Sequence, residues 1–401
     1  MPSWLSLTDE QRRTTLEQAS VRAGIMAKAI EKDWWVTLSI KALFQTEFAR
    51  FCIFKGGTSL SKGWKLIERF SEDIDIALDP AAFGMEYVRA PTHSYVKKLK
   101  RAGCQFTSTS LKEAITQAFT DLGIAKGVVE IVADEVPADL PDKDPQSLFI
   151  RYTSLYNPHP YLADEVKMEF SVRSLKEPYA LIWVQSLLNE FFPNPVYREE
   201  PFEVVAVEPK KTILEKAFLL HEKFETGFPG AVNDDRQSRH IYDLVRLMDS
   251  PAGKEALTDT GLFDALVTHR RHYIRLSGMN YETLHPKTLN FVPTIDLIHL
   301  YFEKDYMEMR RSMIYGNTHE FDELIRRLKV FNGRFRLMGT GFTLEQIIEQ
   351  AISEIPLDIN VNIIHQPVEI LSADGGENKF VVTFQRLKGE AVFEKIEIVS
   401  S

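Results

Sequence analysis

Only two of the 401 residues are cysteine, Cys52 and Cys104. So few thiols at that separation exclude a disulfide scaffold and a paired-cysteine zinc site, and both side chains are expected to be buried and inert. No apolar run is long enough to cross a bilayer, and the opening MPSWLSLTDEQRR lacks the charged start and apolar centre of an export signal. A cytosolic location, away from membranes, is therefore the expectation. An excess of positive charge is missing too. Lys and Arg number 48 against 57 Asp and Glu, a net −9, which excludes coating nucleic acid through bulk electrostatics but leaves room for a local basic groove. There is no internal repeat and no low-complexity tract.

The remaining composition is that of an ordinary globular chain, with 44% hydrophobic and 26% charged residues, and the length predicts two or three domains. Charge is unevenly spread. Residues 337–401 hold ten acidic and four basic side chains, so this tail carries −6 of the −9. Basic clusters stand at Lys97, Lys98, Lys100 and Arg101, at Arg270, Arg271 and Arg275, and at Arg326, Arg327, Lys329, Arg334 and Arg336. Each is expected to be a solvated helix face.

The elements follow from periodicity. Thr8 with Gln11 has the form of a capping box, opening helices that run to about Phe48. A short strand is expected in RFCIFKGG, then a polar stretch with a basic helix, a helix near 111–122, and strands in GVVEIVADEV, SLFIRYTSLY and EVKMEFSVR. Residues 1–207 thus predict an α/β core with a mixed sheet. From Pro209, well suited to a first helical position, the pattern becomes helical, and residues 208–336 predict an all-helical domain. The segment ETGFPGAVNDDRQ reads as an exposed loop within it. Residues 337–401 predict a small α+β appendage of one helix and three strands, joined by turns at ADGGEN and LKGE.

Between Phe54 and Leu78 the chain reads FKGGTSLSKGWKLIERFSEDIDIAL. In this strand-like alternation Ile74, Ile76 and Leu78 take one face, so Asp73 and Asp75 point together from the other. Upstream, Gly56 and Gly57 allow a tight turn and close approach to a ligand. Thr58, Ser59 and Lys62 add hydroxyls and a cation suited to phosphate oxygens. A metal and triphosphate site is the reading, because hard divalent cations such as Mg²⁺ take oxygen ligands from one or two carboxylates, phosphates and water.

The segment resembles the AbiEii/AbiGii nucleotidyltransferase-like toxin family of the polymerase-beta-type nucleotidyltransferase superfamily. That superfamily carries Gly-Ser ahead of its acidic pair; Thr58 stands at the serine position here, and the spacing to Asp73 is longer than usual. The resemblance implies a third carboxylate on a neighbouring strand. In EVKMEFSVR, Val166, Met168, Phe170 and Val172 form an apolar face opposite Lys167, Glu169, Ser171 and Arg173. Glu169 is the candidate third ligand and general base, with Lys167 as its electrostatic partner and a nucleotide contact. LEKAFLLHEKF and SRHIYDLVRLM resemble later motifs of the family, implying a phosphate-binding, catalytic role for Lys216 and a nucleotide-orienting role for Asp243, with Arg239 and His240 nearby. The likeness extends to IEKDWWV and FEKDYMEMRRSMIYG. There Glu31, Lys32 and Asp33 read as helix surface or packing ion pairs, Trp34 and Trp35 as core, and Asp305, Tyr306 and Arg310 as either an acceptor groove or a packed helix.

The implied activity is transfer of a nucleoside monophosphate from a nucleoside triphosphate to an acceptor hydroxyl, with Mg²⁺, or Mn²⁺, as cofactor and release of pyrophosphate. The resemblance further implies a toxin of a bacterial toxin–antitoxin or phage-defence system, restrained by a separate antitoxin, with the 3′ end of tRNA as the first acceptor to consider. Transfer to a protein or small molecule, or a nucleotide-binding regulator without catalysis, are the alternatives.

Overall fold

A computed structural model describes residues 2–137, 141–159, 162–227, 236–356, 361–371, 377–387 and 389–399. The chain forms two compact units. One comprises Met1–Thr212, His272–Ile274 and Arg311–Asn317; the other comprises Ile213–Arg271, Arg275–Arg310 and Thr318–Ser401.

The first unit is built on a seven-stranded mixed sheet. Its strands are β1 (Cys52–Lys55), β2 (Ile74–Leu78), β3 (Val129–Ala133), β4 (Gln146–Tyr152), β5 (Glu165–Ser171), β6 (Tyr179–Val184) and β7 (Phe202–Val207), in the order β3-β4-β5-β2-β1-β7-β6. The β2–β5 and β1–β7 pairs are parallel and the others antiparallel. Strands β6 and β7 escape the sequence reading for a physical reason. YALIWV is an unbroken apolar run in which Tyr179, Leu181 and Trp183 remain exposed on an edge strand, so it shows no polar and apolar alternation.

Asp9–Ala23 opens with the Thr8/Gln11 capping box and stops at Gly24, whose φ of +69° only glycine adopts without strain. The next helix, Ala27–Phe44, is a core element. Trp34 packs against Trp4 with ring centres 4.7 Å apart, and Trp35 stacks on Tyr152 at 4.9 Å. Lys28, Glu31, Lys32 and Asp33 are buried with it, and of the two readings the packing ion pairs hold rather than the helix surface. Lys28 pairs with Asp164 and Lys32 with Glu72, each at 2.6 Å, and Asp33 with Lys62. Glu31 accepts from Ser154 Oγ and the Leu155 amide; burial outweighs these bonds and raises its carboxyl above the usual range. Both cysteines are buried and free, and burial drives Cys52 up to about 12, so its thiol is inert at neutral pH.

The second unit carries helices Ser238–Leu247, Pro251–Thr258, Thr260–His269, Phe321–Arg336 and Leu344–Glu354. It also holds a three-stranded antiparallel sheet of β8 (Ile363–Leu371), β9 (Glu377–Leu387) and β10 (Glu390–Val399), in the order β10-β9-β8. Leu344, Ile347, Ile364, Val382, Phe384 and Ile396 belong to one apolar core. The basic cluster at 326–336 is only partly a solvated face: Arg326 is exposed, while Arg327 and Arg334 pair with Asp249, Lys329 with Glu394, and Arg336 donates to the Ile396 carbonyl. Arg270 is likewise buried in a two-bonded pair with Glu222. The cations lose hydration, and each gains a carboxylate or carbonyl in exchange. Most of the expected 225–237 loop and of the ADGGEN turn lies outside the described residues.

Candidate active site

Strand β2 presents its alternation as the sequence implies: Ile74 and Ile76 are fully buried, while Asp73, just ahead of the strand, and Asp75 are half-buried. Register then gathers further charge. Asp75 stands opposite Lys55 on β1 and opposite Glu169 on β5. Neighbouring strands lie roughly 4.8 Å apart, and directly opposed side chains share a face. On β5, Val166, Met168 and Phe170 are buried and Lys167 and Glu169 half-buried, so Asp75 and Glu169 project from the same face of the sheet.

Lys167 Nζ bonds Glu169 Oε1 at 2.7 Å. Burial alone lowers the Lys167 pKa, but the hydrogen bond and charge of Glu169, with the charges of Asp73 and Asp75, outweigh it and hold the ammonium above its usual range. The cluster keeps a protonated lysine at neutral pH. Among the described residues no group of three or more His, Cys, Asp or Glu is drawn together closely enough to hold a metal ion. The expected three-carboxylate set therefore shares a sheet face without converging, since like charges repel and Glu169 is occupied by Lys167.

The glycine turn is fitted to the acidic strand. Gly56 has φ +78° and begins the helix Gly56–Lys62; a Cβ there would lie 2.1 Å from Asp75 Oδ2. A Cβ at Gly57 would lie 2.5 Å from Arg69 Nη2 and 2.9 Å from Ser71 Oγ. Backbone thus approaches side chains where any other residue would collide. Arg69, Ser71 and Lys55 are neighbours of this site that the sequence reading did not single out. The only available signal was their proximity to GG and DID.

The three polar residues expected on phosphate have partners of their own. Thr58 Oγ1 bonds the Asp73 carbonyl and lies 2.9 Å from Ser71 Oγ, tying the turn to the acidic loop. Ser59 Oγ donates to the Gly56 carbonyl at 2.9 Å. Lys62 is buried on Asp33, whose second oxygen accepts the Leu187 amide at 2.6 Å. For Lys62 the phosphate role competes with a buried ion pair.

In the second unit Lys216 and Asp243 meet each other. Their ion pair is 3.0 Å, the Asp243 side chain is fully buried, and Lys216 Nζ lies 3.3 Å from His240 Nδ1. The later helix is structural. Asp305 accepts the Arg236 and Ser238 amides, Tyr306 is buried with its hydroxyl near Thr318 and the His319 carbonyl, and Arg310 pairs with Glu320. These contacts favour the packed helix over the acceptor groove.

Asp73, Asp75 and Glu169 offer oxygen donors, with the cations Lys167, Lys55 and Arg69 around them. Such donors suit a hard divalent cation. A family model described as "Nucleotidyl transferase AbiEii toxin, Type IV TA system" matches residues 40–327. No curated protein and no solved structure gives a significant match.

Proposed function

Because the chain belongs to the AbiEii family of nucleotidyl transferase toxins of type IV toxin–antitoxin systems, we propose that it is a metal-dependent nucleotidyltransferase acting on the 3′ end of tRNA. The observation carrying this reading is the register that sets Asp75 between Lys55 and Glu169, with Asp73 and Lys167 on the same face.

Asp73 and Asp75 would hold the divalent cation, with Glu169 the neighbouring third carboxylate. When bound, such a cation neutralises the triphosphate and lowers the pKa of the attacking hydroxyl. In the reaction the acceptor oxygen forms a bond to the α-phosphorus, the α–β bridging bond breaks, and pyrophosphate leaves. Glu169 accepts the proton lost by the acceptor hydroxyl. Lys167 stays protonated and limits the mutual repulsion of the carboxylates. Gly57, Thr58 and Ser59 bring backbone amides close to the nucleotide, and Lys62 stands at the end of their helix. Lys216 and Asp243 are assigned to phosphate and nucleotide by the family resemblance. An ammonium such as that of Lys216 favours the charge that develops on departing pyrophosphate. A 3′ end suits such a protein because it can be recognised through backbone and end geometry, without a strongly basic surface. A separate antitoxin would restrain the activity.

The test uses the wild type and an Asp73→Ala, Asp75→Ala double variant. Each is incubated with Mg²⁺, each α-³²P-labelled nucleoside triphosphate in turn, and total bacterial RNA or lysate. Label entering a tRNA band with the wild type alone is the expected result. Label in protein would replace RNA as acceptor, and equal transfer by the double variant would overturn the metal site.

A further inference from the structure

Residues 68–73, which lead into the acidic strand, form no helix or strand of their own, yet they carry Asp73. They are held by a segment from far later in the chain that belongs to the same compact unit. The Phe70 amide donates to the Met313 carbonyl at 2.7 Å, the Tyr315 and Gly316 amides donate to the Glu68 carbonyl at 3.1 and 3.3 Å, and Arg69 forms an antiparallel bridge with Ile314. Gly316 permits this approach, because a Cβ there would lie 2.5 Å from Glu68 Cβ and 2.1 Å from its Oε2. At the other end of the loop Lys32 pairs with buried Glu72, and Thr58 bonds the Asp73 carbonyl.

We propose that residues 313–316 are a positioning element for the reaction: by pairing with residues 68–70 they fix the loop that sets Asp73 for the divalent cation, with Gly316 as the residue that makes the pairing possible. This rests on the metal-dependent reading above. The chemistry supports it because a carboxylate at the end of an irregular loop is placed only as well as that loop is anchored. A displacement of about 1 Å in a reacting constellation costs on the order of 10²-fold in rate. Lys32–Glu72 and Thr58 anchor one end of the loop.

The test compares wild type, Gly316→Ala and the Glu68→Gly, Gly316→Ala double variant, the second change removing the side chain that the new methyl would strike. Mn²⁺ is titrated and the shift in melting temperature recorded, alongside kcat and KM for the nucleoside triphosphate. Gly316→Ala should need roughly tenfold more Mn²⁺ for half the shift and lose roughly tenfold in kcat, with KM nearly unchanged; the double variant should recover most of both. A wild-type Mn²⁺ response and kcat in Gly316→Ala would overturn the proposal. A second measurement needs no variant. Hydrogen exchange of the wild-type protein should show Mn²⁺ slowing the Phe70 amide together with those of Tyr315 and Gly316, and slowing of Phe70 alone would overturn the coupling. No Mn²⁺ response anywhere in the wild type would instead overturn the metal reading, and this proposal with it.

Discussion

Gly56→Ala should separate backbone strain from damage to the acidic strand. Gly56 adopts φ +78°, and its missing Cβ would sit 2.1 Å from Asp75 Oδ2 and 2.9 Å from Asp75 Cγ. Since an ordinary contact begins near 3.4 Å, the carboxylate must retreat by about 1.3 Å, the difference of the two distances. The left-handed backbone alone costs an alanine about 1–2 kcal/mol. That corresponds to a fall in melting temperature of roughly 2–8 °C for a unit of this size. The retreat of Asp75 should cost on the order of 10²-fold in nucleotide transfer. Gly24→Ala is the matched control, because Gly24 has φ +69° and no atom within 4 Å of the would-be Cβ. Both variants should melt earlier by similar amounts, measured by differential scanning fluorimetry. Only Gly56→Ala should lose transfer of labelled nucleotide. Equal transfer by the two variants would refute the assignment of Asp75 to the reaction.

Two further predictions concern buried charge. Lys62→Met leaves Asp33 buried with its ammonium partner gone, so it should destabilise the protein by about 3–5 kcal/mol in urea unfolding. The KM for nucleotide in the folded variant should then change little. A large rise in KM with intact stability would show that Lys62 reaches phosphate after all. His221 is buried, accepts the Asn290 amide at Nδ1, lies 3.0 Å from Thr283 Oγ1 through Nε2, and is lowered by burial to about 4. Below its unfolded pKa near 6.5 the unfolded chain takes up a proton that the native protein refuses. The stability contribution is whole above pH 6.5 and lost progressively down to pH 4, on the order of 3 kcal/mol. Urea unfolding across that range should show the loss, and His221→Gln should flatten it; an unchanged slope would place the sensitivity elsewhere.

The parts of the fold legible in the sequence are those governed by local period. Ile74, Asp75 and Ile76 follow from alternation on one strand, as do Lys167 and Glu169, and the Thr8/Gln11 capping box spans a single helical turn. Strand β6 was hidden because its outward face is as apolar as its inward one. The charges of Glu31, Lys32 and Asp33 left helix surface and packing ion pairs both open, and partners distant in sequence decide for the ion pairs.

Sequence alone determined that Asp75 projects from its strand opposite Ile74 and Ile76, just after a glycine turn, because side-chain direction along a strand depends only on the backbone repeat. The tertiary structure decided which groups face it. Register, set by the packing of whole strands, brought Glu169 and Lys55 opposite Asp75. Chain return from residues 313–316 anchored the loop before Asp73. Burial and pairing then decided which cations remain near the carboxylates: Lys62 was turned inward to Asp33 and Lys167 was kept on Glu169, choices that depend on where distant carboxylates come to rest.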